Sequence, residues 1–140
     1  MVRSSVAVAF LASWFLASVA PASAATRDFV GVWKNADAGS RGLSQLDIRR
    51  EGSSLIVHAV GKCQPTDCGW GQARAHLLTP RPGLPLEANA DAAFVEFVRG
   101  GVRRIVVLAP AGGQITYQTY TIFENASRPS YHDAGRMTRR

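Results

Sequence analysis

From residue 29 onward, apolar and polar positions alternate in short runs separated by turn residues, and almost nothing has helical spacing. "LSQLDIRR" (43–50) puts Leu46 and Ile48 on one face and Asp47 and Arg49 on the other. That period of two is the mark of a half-buried strand. "FVGVWKN" (29–35), "LIVHAVG" (55–61), "GWGQARAHLL" (69–78), "AFVEFVR" (93–99), "RRIVVLA" (103–109) and "QITYQTYTIF" (114–123) read the same way, rich in β-branched and aromatic residues. A last short strand is expected near Met137. Between the runs lie turn signals: "EGSS", "PAGG" and Gly100-Gly101, the last a two-residue hairpin loop. "RPGLPLEANAD" (81–91) reads as a loop.

Seven or eight strands in simple succession, with short connections, predict an antiparallel meander, because parallel strands need long crossovers. Open sheet edges invite aggregation, so a meander of this length must close or stack. The expected fold is therefore all-β, an up-and-down barrel of about eight strands, with a two-sheet sandwich as the alternative. In a barrel of that size the interior is either filled by side chains or holds one small ligand. The strand 114–123 offers Tyr117, Thr119 and Thr121 on one face, so Tyr117 is a candidate lining residue.

The first residues have a different character. One arginine, Arg3, precedes an apolar run from Val6 to Ala20, which ends in Ala22-Ser23-Ala24. This is the layout of a secretory signal peptide over residues 1–24, leaving residues 25–140 as one domain. The run is short for a membrane-spanning helix, and nothing after it could span. The expected location is periplasmic or secreted. The net charge is +6, almost all from arginines dispersed along the chain. Nucleic-acid binders gather such charge on one face or helix, so nucleic acid is not an expected partner.

"GKCQPTDCGWG" (61–71) holds both cysteines. Three readings compete. Cys63 and Cys68 with His58 and His76 make a two-imidazole, two-thiolate set that suits zinc, but the histidine spacing departs from finger patterns. A redox dithiol normally has the spacing Cys-x-x-Cys, and here it is Cys-x4-Cys. In an oxidising compartment two thiols pair, and Pro65 and Asp67 supply turn chemistry between them. The expectation is a Cys63–Cys68 staple, with no metal and no cofactor. Asp67 and Trp70 are then the loop's candidate binding residues.

These same residues carry a resemblance. Gly61, Lys62, Cys63, Pro65, Thr66, Asp67, Cys68, Trp70 and Gly71 resemble a run found in a family of small secreted, largely uncharacterised bacterial proteins. The likeness extends to Trp33, Asn35, Asp37, Arg41 and Gly42, and to Ser127, Arg128, Tyr131 and His132 in the tail. Val60, Gln64 and Gly69 depart from it, and no activity comes with it. Gly31-Val32-Trp33 is also similar to the first strand of lipocalin-type barrels. That similarity implies that Trp33 closes the barrel base under an arginine from near the last strand, for which Arg128 and Arg136 are the candidates.

No phosphate loop, dinucleotide fingerprint or nucleophile elbow is present. His132 sits between Tyr131 and Asp133 in a polar cluster that reads as a capped turn before the last strand. The sequence thus points to a non-catalytic, disulfide-stapled barrel that binds a small molecule or an envelope component. The candidate binding residues are Asp67, Trp70, Tyr117, Arg128, Tyr131 and His132. Two alternatives stand beside it: a protein- or glycan-docking module working through loop 61–71, and an enzyme or metal protein using His58, His132 and the cysteine loop. The oligomeric state is not legible.

Overall fold

A computed structural model describes residues 24–140. The predicted leader lies outside the described residues, except for Ala24. Eight antiparallel strands follow one another around a closed barrel: β1 (Gly31–Asn35), β2 (Leu43–Glu51), β3 (Ser54–Gly61), β4 (Cys68–Leu78), β5 (Ala92–Arg99), β6 (Val102–Ala111), β7 (Gln114–Phe123) and β8 (Tyr131–Arg139). The first strand pairs with the last, through Trp33↔Arg139, Lys34↔Thr138 and Asn35↔Met137. That pairing makes the fold a barrel rather than the sandwich.

The turns form as their residues dictate. Gly100 and Gly101 have φ of 58° and 73°, the left-handed pair that a tight β-hairpin requires. One residue slip there would turn Val95 and Phe97 outward, since side chains alternate strictly along a strand. In the segment expected to be pure loop, Leu86–Asn89 forms a single helical turn, α1. It packs beneath the barrel beside a 3-10 turn, Thr26–Asp28, and the Thr26 hydroxyl donates to the Leu86 carbonyl (3.2 Å). The Arg50 guanidinium holds Glu87 with two hydrogen bonds of 2.7 and 2.8 Å. Both groups are exposed, so this fork positions α1 more than it stabilises it.

Side chains from all eight strands meet in one buried cluster, among them Trp33, Leu46, Ile48, Val57, Val95, Val106, Leu108, Ile115 and Met137. The interior is therefore packed along most of its length. Trp33 is fully buried at the lower end, and its indole N–H donates to the Phe29 carbonyl (2.8 Å). The guanidinium above the ring belongs to Arg139, 4.3 Å from the ring centre. The expected partners were Arg128 and Arg136. Alternation explains the difference: Met137 and Arg139 share the inner face of β8, and Arg136 lies on the outer one. Arg128 covers Phe123 at the opposite end instead (4.0 Å).

The barrel closes unevenly. β6 and β7 share ten register pairs, and β2–β3 and β7–β8 share eight each. By contrast β1–β8 and β4–β5 share only three each. These two seams lie on opposite sides, and in both the paired residues are toward the lower end. The molecule is thus two four-stranded halves whose ladders join over only three register pairs at each seam. The upper end carries the β1–β2 loop, the cysteine loop, the Gly100-Gly101 turn and the β7–β8 loop.

Candidate functional site

The upper opening of the β1–β8 seam is the most developed concavity. β1 stops at Asn35, and the chain leaves through Ala36–Gly42, while β8 continues upward to Tyr131 with no strand paired to it on that side. Between them lies a cavity of about 620 Å3, lined by Asn35, Arg41, Gly42, Tyr117, Tyr131, His132, Asp133 and Arg136 among others. That volume is within the usual range for small-molecule sites.

Its floor is a hydrogen-bonded chain. Asn35 anchors it: its amide donates to the Leu43 carbonyl (2.7 Å) and to the Tyr117 hydroxyl (2.8 Å). Its carbonyl oxygen accepts from the Asp37 backbone N–H (2.9 Å), which shapes the loop above. The Tyr117 hydroxyl in turn donates to Asp133 Oδ2 (3.3 Å). Tyr117 is only 3% exposed, and burial pushes its phenol above the ordinary value. The hydroxyl is therefore a proton donor throughout the neutral range. Asp133 is half-buried, and no Lys, Arg or His lies within ion-pairing distance of it among the described residues.

Two glycines make room for this arrangement. Gly135 faces Tyr117 directly across β7–β8, and a methyl group there would lie 2.7 Å from the phenol oxygen. At Gly42 a methyl would lie 2.6 Å from Asp133 Oδ2. The Tyr117 ring thus lies over bare backbone, which fixes where its hydroxyl points.

The cysteine run has a different role. Cys63 and Cys68 are bonded, with Cα atoms 5.7 Å apart, closing the β3–β4 connection. Asp67 bends back to accept from the Ser44 hydroxyl (3.1 Å) and pairs with Lys62 (3.2 Å). The hydrogen bond from Lys62 holds its carboxyl below the usual carboxylate range. Asp67 is therefore a tie between the stapled loop and β2. It lies on the other side of the β1–β2 loop from the large cavity, in a smaller one of about 250 Å3. Trp70 turns inward and is 6% exposed, packed edge-on against Phe97 (6.3 Å). Opening the staple, by Cys63→Ala with Cys68→Ala, is expected to cost about 2 kcal/mol through the freed unfolded chain. In a domain of this size that lowers the melting temperature by about 8 °C. Differential scanning calorimetry of the double variant reads it directly, and an unchanged transition would show that the loop is held by its hydrogen bonds alone.

Of the six candidate binding residues, the structure gathers Tyr117, Tyr131 and His132 around the large cavity. Asp67, Trp70 and Arg128 lie elsewhere. His132 was expected in a turn but sits on β8, which begins at Tyr131. Neighbouring residues on a strand point to opposite faces, so His132 stacks outward on Tyr120 (6.3 Å) while Asp133 faces Tyr117. No hydrogen bond joins the two, and they form no acid–base dyad. His58 stands opposite Gln72, and His76 stacks on Phe94 farther down β4. With the thiols bonded, the four proposed zinc ligands do not converge. Among the described residues no group of three His, Cys, Asp or Glu side chains is placed to hold a metal.

Comparison of the chain with protein-family models, with characterised proteins and with solved structures finds no match. Among the described residues no helix is long and apolar enough to cross a membrane.

Proposed function

We propose that this protein is a secreted or periplasmic, non-catalytic binding barrel whose ligand is a small polar molecule, held at the upper opening between the β1–β2 loop and the free edge of β8. The observation that carries this reading is the Asn35–Tyr117–Asp133 chain at the floor of a cavity of about 620 Å3. It ends in a half-buried carboxylate that has no cationic partner among the described residues. A carboxylate in that state accepts strong hydrogen bonds, so it selects ligands that present N–H or O–H donors. The packed interior argues that the ligand sits at the mouth and not along the axis. Export agrees with the apolar leader before a small-residue site and with the disulfide. Burial of Trp70 takes the one aromatic group away from a docking role for loop 61–71.

The test is native mass spectrometry of the purified protein after exposure to a mixed pool of small polar metabolites. A retained mass in the wild type is expected, and it should be lost or at least tenfold weaker in Asp133→Asn, since hydrogen bonds to a charged group contribute about 1.5–3 kcal/mol. No retained mass, or equal retention by the variant, would sink the proposal.

A further inference from the structure

One row below the rim of the second half-barrel, the inward-facing residues run Phe97, Arg104, Thr121 and Tyr131, each the register partner of the next across β5 to β8. Three of them suit such a position. Arg104 does not: it shares a face with Val106 and Leu108, which are fully buried. Its guanidinium lies over the Trp70 ring, 4.9 Å from the ring centre. Its Nε is buried without a hydrogen-bond partner, the one such side-chain nitrogen or oxygen among the described residues. It forms no ion pair with any described carboxylate.

The charge around it adds to the anomaly. Burial lowers the pKa of Arg104 from the ordinary arginine value; the Tyr131 side chain offsets this, and the positive charge of Arg128 adds to it. Two guanidinium groups thus act on the same opening, and among the described residues neither pairs with a carboxylate. A half-buried charge without a counter-charge is costly, and an apolar residue of similar volume would pack there at no such cost. Stacking on an indole weakens neither the charge nor the donors of an arginine, and it fixes the plane of the fork.

We propose that Arg104, held on the Trp70 ring, is an anion-binding residue of the barrel mouth, taking a single carboxylate or phosphate group of a small ligand. With Nε sealed in the wall, the two Nη nitrogens are the donors left for the ligand. They present two parallel N–H groups, which match two oxygens of such an anion. Arg128 adds attraction from the β7–β8 loop, and Tyr131 adds a hydroxyl group from two register positions along the same row. The site shares Tyr131 with the neighbouring cavity, but Arg104 does not line that cavity. The inference therefore stands on the inner row alone, whatever fills the pocket of Asp133.

Arginine side-chain NMR of the purified protein tests it. The Nε–Hε signal of Arg104 and the indole N–H signal of Trp70 are followed during titration with sodium acetate, with inorganic phosphate and, at matched ionic strength, with sodium chloride. Saturable shifts of both signals with acetate or phosphate, and none with chloride, are expected. A stronger response to acetate assigns the group as a carboxylate, and a stronger response to phosphate assigns it as a phosphate. Arg104→Lys keeps the charge but loses the fork, and it should weaken binding about tenfold. Arg104→Met should abolish the Trp70 response. If Arg104→Met loses its dispersed amide spectrum, Arg104→Lys and Arg128→Gln carry the comparison, the latter weakening binding without removing it. The inference is overturned by an absent saturable response in the millimolar range, by an equal response to chloride, or by unaltered Trp70 shifts in Arg104→Lys.

Discussion

Trp33→Ala is expected to leave the barrel barely folded. The ring is fully buried between the Phe29 segment and Arg139, and it stands at one of the two short seams. Truncating a buried aromatic residue to alanine costs about 3–5 kcal/mol. The Phe29 carbonyl also loses its donor, which adds about 1 kcal/mol. A domain of this kind has about 5–15 kcal/mol in all. Urea denaturation followed by far-UV circular dichroism gives the change in midpoint. Trp33→Phe should keep most of the packing and lose mainly the hydrogen bond, so it should fall well short of the alanine variant. Near-wild-type stability of Trp33→Ala would mean that the lower end closes without this ring.

Gly61→Val is the second large effect, and it acts by crowding instead of by removal. Gly61 lies beneath the Trp70 indole, and the first added carbon would sit 2.6 Å from ring atoms Cε2 and Cζ2. The indole cannot slide freely, because Phe97 meets it edge-on and the Arg104 guanidinium covers its face. Overpacking of this kind costs about 3 kcal/mol at the upper end of its usual range. The displaced ring should also redden the tryptophan emission spectrum as it meets water. A stable variant with unchanged emission would show that the backbone of β3 yields instead. Either way the variant separates the seat of Arg104 from its charge, which Arg104→Lys cannot do.

The reach of the sequence was set by where alternation is clean. In β2 the buried pair Leu46 and Ile48 and the outward pair Asp47 and Arg49 are legible residue by residue. The Gly100-Gly101 turn and the Cys63–Cys68 bond are legible for the same reason: few other conformations suit those residues. The upper half of β8 is not. Tyr131, His132 and Asp133 follow a Ser-Arg-Pro-Ser run with turn chemistry, and a strand with one open edge at a polar mouth has no apolar face to reveal it. Arg104 was concealed by its neighbour. The doublet Arg103-Arg104 looks like surface charge, yet Arg104 has the same parity as Val106 and Leu108, and that parity was the available signal. Alternation gave no signal at Asn35, since its contacts with Leu43 and Tyr117 arise only when β1, β2 and β7 come together.

The weak seam has a kinetic side. Seven of the eight pairings join strands that are consecutive in the chain. The eighth brings Trp33 to Arg139, the register pair of greatest sequence separation among the described strands. Contacts of high sequence separation form slowly, because the loop entropy must be lost before the contact repays it. The hairpins β2–β3, β5–β6 and β6–β7 need only two-residue turns and can form while the chain is still being made. Strand β1 cannot finish until Met137–Arg139 exists. For that interval the nascent molecule is an open sheet with two unpaired edges, and the step that removes them combines the largest entropic cost with one of the two smallest sets of register pairs.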